Sequence, residues 1–506
     1  MIEDVVIIGG GPTGLMLACE LHLAGARAVV LERLSEPTGL SKALGLSGRG
    51  VDLLDHRGLI ERFRRGQASA ASIAGFIHFG GIPIDVRRLK GEPPKFLFVL
   101  QAVTESLLAE RANELGVEIH RGQELIGLEQ DADSVHLGVR TADGERRLQA
   151  RFVVGCDGGR SSVRELAGIG FPGTAPTRLL RLGDVKISGL TEDRATWRDG
   201  RPPFPPLDGG YFRVITAEPY PTGFDREVPM TLQELGESVR RTTGRDVPMT
   251  EARWLSRFTD ASRQAERYRV GRVLLAGDAA HIQLPAGGPG LSTGLSDAAN
   301  LGWKLAAQIQ GWAPPGLLDT YHQERHPAGA RVLMHTRAQG LLLSPGEHTP
   351  ALRELFGELM QDDQTMRRLV DLLQGNDVQY SMEDGQEAHP LVGRWAPELT
   401  LVTDRGVLRL PELMHSARGV LLELGDQVQL REQAAKWRDR IEVVAAKCPS
   451  GAPADALLIR PDGYVAWAGS SIGELDRSFR RWFGDPIEGE AIETSVVERL
   501  DVRTTC

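Results

Sequence analysis

Cysteine is scarce in this chain. Its 506 residues include four cysteines, Cys19, Cys156, Cys448 and Cys506, and they form neither a CxxC pair nor a spacing typical of metal ligands. Buried or incidental thiols explain such a pattern. HExxH motifs and paired His/Cys clusters are also missing, so the sequence predicts no metal site. A redox enzyme of this composition must carry its electrons on an organic cofactor.

Long apolar runs and an excess of basic residues are absent as well. No stretch approaches the roughly 20 apolar residues that cross a bilayer, and the start, Met1–Asp4, lacks the basic segment of a signal peptide. The formal net charge of −9 offers no basic face for nucleic-acid phosphates. We therefore expect a cytoplasmic protein that binds neither membranes nor nucleic acid. A length of 506 residues predicts two or three domains.

A glycine-rich turn lies close to the beginning of the chain. The β-branched run Val5–Ile8 predicts a buried strand, and a helix is predicted over Pro12–Ala24. Between them, Gly9, Gly11 and Gly14 satisfy the pattern GxGxxG. In that pattern the first glycine permits a tight turn, the second admits a pyrophosphate, and the third lets the helix pack closely on the strand. The start of the helix supplies free N–H groups for the phosphates.

An acidic residue completes the pattern. A second predicted strand, 28–31, ends at Glu32, which lies 18 residues after Gly14. A carboxylate there can accept hydrogen bonds from ribose hydroxyls. Together these features predict a dinucleotide site, and this motif alone does not separate FAD from NAD.

Two further motifs also follow predicted buried strands. The first, Val153–Ser161, contains Asp157-Gly158, and the second, Val273–His281, contains Gly277-Asp278 and leads through a glycine turn into a long helix. Asp278 at a strand end can accept from a ribityl hydroxyl, and the helix start can stabilise negative charge on a flavin. Either motif alone could be an ordinary strand-to-helix turn. Three of them favour a flavin site, and a plain NAD dehydrogenase would not need the Gly277-Asp278 motif.

These motifs resemble those of the single-component flavoprotein aromatic hydroxylases, the p-hydroxybenzoate hydroxylase group. Within that group the sequence is most similar to actinomycete hydroxylases of aromatic polyketides, such as the anhydrotetracycline, angucycline and rifamycin enzymes. The similar segments span nearly the whole chain and include 10–18, 31–34, 41–45, 53–58, 253–258, 263–269 and 459–467.

The resemblance implies a set of residues that bind FAD without a covalent bond: Gly9, Gly11, Thr13, Gly14, Glu32, Arg33, Lys42, Gln101, Leu125, Asp157, Arg160, Asp278, Pro285, Gly288, Gly290, Leu291 and Ser292. In the family, Glu32 would hold the adenosine ribose, Lys42 would lie near the adenine nucleotide, and Gln101 would contact the diphosphate or ribityl chain. Arg160 is a candidate for the phosphate of a pyridine nucleotide, and Pro285 would line the isoalloxazine ring. Without the resemblance, Gln101 and Lys42 would be interpreted as solvated polar residues. No catalytic side chain is assigned, and His281 is interpreted as structural.

The flavin turn departs from the family pattern. Relatives usually carry Gly-Gly-Gln-Gly-Leu-Asn, whereas this chain has Pro289 in place of the glutamine and Ser292 in place of the asparagine. They often have histidine at Gln283 and glutamine at Ser296. Pro289 removes a donor N–H. We expect FAD binding to survive because Asp278 and the glycines remain, and oxygen transfer to be the less secure property.

The implied fold class is α/β. A Rossmann-like FAD-binding domain over 1–173 and 268–380 would carry an inserted β-sheet substrate domain over 174–267. A thioredoxin-like domain without CxxC would follow over 381–506. Strands are predicted at 182–187 and 211–215, flanking a Pro-rich loop at Arg201–Pro206, and a surface helix is predicted at 232–243. Substrate candidates are Phe212 and Arg213.

The resemblance implies a monooxygenase. NADPH or NADH would reduce FAD, O₂ would add at the flavin C4a, and the hydroperoxide would hydroxylate an aromatic polyketide or related phenol. Two alternatives stay open: Baeyer–Villiger oxygenation of a polyketide ketone, and a flavin-binding protein without monooxygenase turnover. The expected partner is an aromatic small molecule, and the protein is expected to be a monomer or a homodimer.

Overall fold

The computed structural model describes residues 2–67, 77–189, 204–223, 225, 228–382 and 389–486. Residues 201–203 of the predicted Pro-rich loop, Cys506 and the last part of the predicted C-terminal domain lie outside these ranges.

The secondary structure alternates between strands and helices. The first elements are β1 (Glu3–Ile8), α1 (Pro12–Leu23), β2 (Ala28–Glu32), β3 (Leu46–Ser47), α2 (Arg49–His56), α3 (Ile60–Arg65), β4 (His78–Phe79), β5 (Ile82–Pro83), β6 (Phe96–Leu97), α4 (Gln101–Glu114), β7 (Glu118–Arg121), β8 (Glu124–Gln130), β9 (Val135–Thr141), β10 (Gly144–Gly155) and α5 (Ser162–Leu166).

The middle of the chain contains most of the antiparallel strands and the longest helices. Its elements are β11 (Gly173–Thr174), β12 (Arg178–Ile187), β13 (Pro206–Leu207), β14 (Tyr211–Pro219), α6 (Leu232–Thr243), β15 (Met249–Thr259), β16 (Ser262–Gln264), β17 (Arg269–Val270), β18 (Val273–Leu275), β19 (His281–Ile282), α7 (Gly290–Gln310), α8 (Thr320–Leu343), α9 (Thr349–Leu359) and α10 (Asp363–Gln374).

The last elements are β20 (Thr400–Thr403), β21 (Gly406–Arg409), α11 (Leu410–Leu413), β22 (Gly419–Glu423), α12 (Val428–Ala434), β23 (Ile441–Ala445), β24 (Ala456–Ile459), β25 (Val465–Ala468) and α13 (Ile472–Phe483). Short 3-10 turns lie at Val86–Arg88, Gly277–Ala279 and Ala435–Trp437.

The central sheet is built around β1. This strand pairs in parallel with β2 and with β10, and β10 pairs in parallel with β18. The apolar run predicted from the sequence is buried, as expected for a strand inside a parallel sheet. Because parallel strands end at one edge of a sheet, the turns after β1, β10 and β18 meet there. This confirms the Rossmann-like part of the fold class.

A second sheet, with strand order β13-β14-β12-β15, lies between the two parts of the central fold in sequence and is antiparallel throughout. Helix α6 covers one of its faces. The helix begins where the Thr231 side chain accepts from the Glu234 N–H, and it ends at Gly244, whose φ of 69° is left-handed. The strands and the helix predicted for this region are confirmed.

The C-terminal sheet has the order β23-β22-β24-β25. β22 is parallel to β23 and antiparallel to β24, and β24 forms a hairpin with β25. This mixed arrangement, covered by α12 and α13, agrees with the predicted thioredoxin-like unit. Among the described residues, no helix is both long enough and apolar enough to span a bilayer.

Candidate active site

The glycine turn after β1 combines tight packing with one open position. A methyl group on Gly9 (φ 110°) would lie 2.4 Å from the Cys156 carbonyl oxygen, and one on Gly14 would lie 2.1 Å from the Gly9 carbonyl oxygen. A methyl group on Gly11 would meet no described atom within 4 Å. Helix α1 begins at Gly11 without a side-chain cap. Its first N–H groups therefore face space that an anion can enter.

Thr13 joins this turn to Gly277 of the third motif and to Gly294 of α7. A methyl group on Gly277 (φ 61°) would lie 2.7 Å from Thr13 Oγ1, and one on Gly294 in α7 would lie 2.4 Å from the same oxygen. Gly9 and Gly14 approach Cys156, which precedes Asp157. The structure therefore brings the three sequence motifs together, with Thr13 packed between them.

Asp278 lies on the rim of this meeting point. Its side chain is accessible to solvent, but protein surrounds it closely enough for burial to raise the pKa of the carboxyl. The charges of His281 and Lys42 oppose that shift, and no hydrogen bond within the described residues contributes to it. These observations fit a side chain that faces open space and is bordered closely by protein. An unpaired carboxylate in such a place can accept hydrogen bonds from a ligand's hydroxyls.

Asp297 of α7 fixes the turn that carries Asp278. It is fully buried and accepts from the Gly277 N–H at 3.0 Å, His281 Nε2 at 2.7 Å and Arg325 Nε at 2.7 Å. Burial alone would raise the pKa of Asp297, but the charges of Arg325 and His281 outweigh it and lower the pKa. His281 thus supports the turn from behind. The sequence motif contained Asp297 but gave no signal that it would accept from the turn.

The proposed adenosine end begins at Glu32. Its Oε2 accepts from the Gly10 N–H at 2.8 Å, and its Oε1 accepts from the Leu34 N–H at 2.9 Å. Each carboxylate oxygen keeps a further acceptor site, because a carboxylate has about four in total. Glu32 can therefore hold the turn and still accept from a ribose, while its neighbour Arg33 is exposed.

Gln101 and Lys42 lie at the same end of the cleft. Gln101 accepts from the Ala43 N–H at 3.3 Å and donates to Glu105 at 2.9 Å, so it positions the segment that carries Lys42. Lys42 is exposed. Burial raises the pKa of Glu105 and of Asp278, and the Lys42 charge opposes both shifts. Lys42 is therefore within electrostatic reach of both carboxyls.

Asp157 has one unsatisfied oxygen. Its Oδ2 accepts from the Val163 N–H at 3.2 Å, whereas Oδ1 is buried and has no hydrogen-bond partner among the described residues. Burial raises the pKa of this carboxyl. Arg160 is exposed, while the nearby Arg164 donates to the Gly159 and Ala279 carbonyls, each at 3.0 Å. Arg164 thereby ties the second motif to the third.

The turn before α7 presents open backbone. Pro285 and Gly288 are exposed, and a methyl group on Gly288 (φ 68°) would meet no described atom within 4 Å. The Gly288 N–H donates to the Pro285 carbonyl at 3.1 Å. Helix α7 starts after Pro289, again without a side-chain cap. A ring with partial negative charge can therefore approach the first turn of α7, at Gly290.

The departures from the family pattern have specific surroundings. Ser292 Oγ accepts from the Ser47 N–H at 3.1 Å and lies 2.5 Å from where a methyl group on Gly50 would be, so it faces protein as well as the turn. The Ser296 hydroxyl donates to the Ser292 carbonyl at 2.9 Å. Gln283 Oε1 is buried without a hydrogen-bond partner among the described residues.

Two of the predicted cofactor residues are apolar, and both pack on protein. Leu125 in β8 is buried in the main core, and Leu291 packs partly buried against the same core.

Like Asp297, Gln339 of α8 is a buried residue that the sequence did not indicate. Its amide accepts from the Gly80 N–H at 3.1 Å and donates to the Ala286 carbonyl at 3.4 Å. Gln339 therefore holds the flavin turn to the β4–β5 hairpin.

The two substrate candidates point in opposite directions. Phe212 is 4% exposed and packs with Val185 and Leu235 between the second sheet and α6. Neighbouring residues in a strand alternate between faces, so Phe212 lies away from the FAD-binding part, which corrects its prediction as a substrate contact. Arg213 is on the opposite face, but its guanidinium is occupied by Asp184 and by the carbonyls of Ser41 and Lys42.

The cleft fits FAD. Open space at Gly11 and Gly288, two helix starts without side-chain caps and the accessible carboxylate of Asp278 match the phosphates, ring and hydroxyls of that cofactor. A family model described as the FAD binding domain matches residues 3–336, and one described as the C-terminal part of aromatic-ring hydroxylases matches residues 389–486. This chain belongs to the FAD-dependent aromatic-ring hydroxylases. Members of the family use NAD(P)H and O₂ as co-substrates.

Named relatives agree with this family. A 12-dehydrotetracycline 5-monooxygenase/anhydrotetracycline 6-monooxygenase of Streptomyces rimosus is 47% identical over 96% of this chain and 100% of its own. A rifampicin monooxygenase of Streptomyces venezuelae is 45% identical over the same shares. The crystal structure of an aromatic hydroxylase from angucycline biosynthesis matches with a TM-score of 0.88 at 42% identity, covering 96% of this chain and 100% of that one.

One relative is named for a different activity. A dialkyldecalin synthase of Streptomyces rugosporus is 40% identical over 96% of this chain and 98% of its own. This hydroxylase therefore shares its full length with monooxygenases and with a synthase. Within the described ranges, no group of three or more His, Cys, Asp or Glu residues could hold a metal ion.

Proposed function

We propose that this FAD-dependent monooxygenase hydroxylates an aromatic polyketide or a related phenolic small molecule. The observation that supports this proposal most directly is that the Gly11 turn, the Gly277–Asp278 turn and the start of α7 lie together, with open backbone at Gly11 and Gly288. The monooxygenases that cover this chain from end to end, named for anhydrotetracycline and rifampicin, support the substrate class. When bound, FAD supplies electron transfer from NAD(P)H and activation of O₂.

Protein residues orient the cofactor in this proposal. The open backbone at Gly11 and the start of α1 bind the diphosphate, Glu32 and Lys42 lie at the adenosine end, and Asp278 accepts from the ribityl chain. The uncapped first turn of α7, which begins at Gly290, would hold the electron-rich edge of the ring. Because reduction adds negative charge to that edge, the helix start stabilises the reduced cofactor.

The substrate lies under the face of the second sheet that is opposite α6. This face has three rows in register: Arg213 beside Asp184 and Trp254, Ile215 beside Leu182 and Ser256, and Ala217 beside Leu180 and Phe258. The first row reaches Ser41 and Lys42, and the third packs on Leu284 and Ala286. The middle row spans the interval between these two anchors.

The middle row suits a flat ring that carries oxygen. The Ile215 side chain is 44% exposed, whereas the other face of the same sheet is packed against α6. Leu182 is buried beneath this row at 3% exposure, and the Ser256 hydroxyl can donate to or accept from one oxygen of the ligand. Excluding water from this space favours oxygen transfer to the substrate over its loss as peroxide. Arg213 contributes by holding the segment 41–42.

The proposal extends to the organisation of the protein. We assign the FAD-binding domain to 1–173 and 268–380, the substrate domain to 174–267 and the thioredoxin-like domain to 381–506. The protein is expected to be cytoplasmic. It is also expected to be a monomer or a homodimer, and sedimentation of the purified holoenzyme measures this oligomeric state.

The decisive experiment supplies aromatic polyketides to the holoenzyme with NADPH or NADH. We expect one class of compound to accelerate NAD(P)H consumption and to give a product that has gained one oxygen atom from labelled O₂. A phenol or tertiary alcohol supports hydroxylation, whereas a lactone or ring-opened product supports Baeyer–Villiger oxygenation instead. Consumption that no aromatic polyketide accelerates would refute the substrate class.

A second candidate is a flavin-binding protein without monooxygenase turnover, and a relative named for a synthase activity rather than a monooxygenase activity favours it. The altered turn at Pro289 and Ser292 is compatible with that role. Such a protein would form its product without consuming NAD(P)H or O₂. The same assay therefore separates the two functions, because only the monooxygenase couples product to NAD(P)H.

A further inference from the structure

The C-terminal unit inserts two charged residues between α7 and α8. They lie in the turn between β24 and β25, where Arg460 donates to Glu324 Oε1 at 2.6 Å, to Glu324 Oε2 at 2.8 Å and to Asp462 Oδ1 at 3.0 Å. Arg460 is 0% exposed and is surrounded by the rings of Trp303, Tyr380 and Trp482.

The same cluster contains residues of α7. Asn300 donates to Asp462 at 2.8 Å, and Lys304 donates to Asn300 at 2.8 Å and to Glu324 at 2.7 Å. All of these side chains are buried. We call Asn300, Lys304, Glu324, Arg460 and Asp462 the interdomain cluster. It joins both long helices of the FAD-binding part to one turn of the C-terminal unit.

The cluster is close to the cofactor turn along both helices. On α8, Glu324 is followed directly by Arg325, which donates to Asp297 at 2.7 Å. Asp297 in turn accepts from the Gly277 N–H at 3.0 Å, next to Asp278. On α7, Asn300 lies three residues after Asp297, on the same side of the helix. Along α8, every step from Arg460 to Asp278 is a direct hydrogen bond or a chain neighbour.

The charges are costly for a contact that only holds two domains together. Burial lowers the pKa of Lys304 to about 8, despite the attraction of Glu324. Burial alone would raise the pKa of Glu324, but the charges of Arg460 and Lys304 outweigh it and lower the pKa to about 2. Apolar residues of similar volume often dock as well as a buried ion pair or better. What directional charged contacts add is a defined register between the parts they join.

We propose that the C-terminal unit is a positioning domain for the cofactor site. Arg460 is its positioning residue, and it holds α7 and α8 in the register that places Asp297, and through it the Gly277–Asp278 turn, for FAD. The thioredoxin-like unit has no CxxC pair, and Cys448 is the single cysteine among its described residues. A positioning role therefore gives the unit a function other than disulfide exchange. The role concerns FAD binding and does not depend on the identity of the substrate.

The test compares Arg460→Met with a matched control in the full-length protein. The control is Arg431→Met, which removes the cation beside the buried Glu423 of the same unit, and whose ion pairs, to Glu423 and Asp426, stay within that unit. For each purified apoprotein, FAD affinity is measured by quenching of flavin fluorescence and unfolding by thermal melts with and without FAD. Arg460→Met is expected to weaken FAD binding by about 5- to 150-fold, the range of a coupling between distant sites.

The control variant shows which result would contradict the positioning role of Arg460. Arg431→Met should lower the melting temperature and leave the FAD dissociation constant within about twofold. If Arg460→Met also lowers only the melting temperature, the cluster is a structural contact and the positioning role is refuted. If Arg460→Met fails to fold, Arg460→Lys and Asp462→Asn decide by the same comparison. Arg460→Lys keeps the charge without the two-pronged guanidinium, so it should weaken FAD binding less than Arg460→Met.

Discussion

Replacing Asp278 tests whether its carboxylate binds a ligand or supports the fold. Its carboxylate receives no hydrogen bond from the described residues, and burial raises its pKa. A carboxyl whose folded pKa lies above its unfolded value destabilises the apoprotein at higher pH, where the unfolded chain carries the charge more readily. Asp278→Ala should therefore leave the apoprotein at least as stable at neutral pH. It should nonetheless weaken FAD binding.

The size of that loss follows from the missing bond. A hydrogen bond to a charged group contributes about 1.5–3 kcal/mol, and about 1.4 kcal/mol is tenfold in affinity, so Asp278→Ala should raise the FAD dissociation constant by roughly 10- to 100-fold. Fluorescence titration of the apoprotein measures it. Asp297→Asn is the matched comparison, because it breaks a buried pair with Arg325 and should cost roughly 3–5 kcal/mol of folding stability. An Asp278→Ala protein that melts earlier but retains FAD would refute the reasoning.

Two further predictions concern the turn and the second sheet. The double variant Pro289→Gln plus Ser292→Asn should change the ratio of product formed to NAD(P)H consumed at unchanged FAD content; an unchanged ratio would mean that the family departures have no effect on oxygen transfer. Phe212→Ala should cost about 3–5 kcal/mol of stability in a thermal or urea unfolding experiment, as for a core aromatic residue. Ile215→Ala should change the KM for the substrate, whereas it should change the free energy of unfolding by no more than about 0.5 kcal/mol. If instead Phe212→Ala changed KM and Ile215→Ala lowered stability, the substrate would lie on the other face of the sheet.

The sequence was sufficient for the parts of the fold that local patterns specify. Short apolar runs ending in glycine turns predicted β1, β10 and β18, and the shared edge of parallel strands then brings Gly11, Asp157 and Asp278 together without further information. Helix α6 was predicted with its bounds, and the structure shows standard capping residues at both of its ends. These signals act over a few residues, so one sequence contains them.

Contacts between distant residues could not be predicted in this way. Both Phe212 and Arg213 were predicted as substrate candidates, because the sequence does not show which face of β14 α6 covers. Ser292 was expected beside the flavin, and its hydrogen bond to Ser47 joins residues 245 positions apart. Arg460 resembled an ordinary residue of a hairpin turn until the packing of α7 and α8 placed it against Glu324. Each of these depends on how separate elements dock, which no local propensity encodes.

On the second sheet, residues that maintain folding stability alternate along each strand with residues that face the proposed substrate site. Phe212 and Val214 maintain the fold, whereas Ile215, one position further along, faces the space assigned to the substrate. Mutations that alter substrate range and mutations that threaten folding therefore fall at interleaved positions with separate consequences. A lineage can explore new aromatic substrates through alternate residues while its folding stability stays almost constant. Such an arrangement makes the sheet a favourable place for enzymes of this kind to diversify.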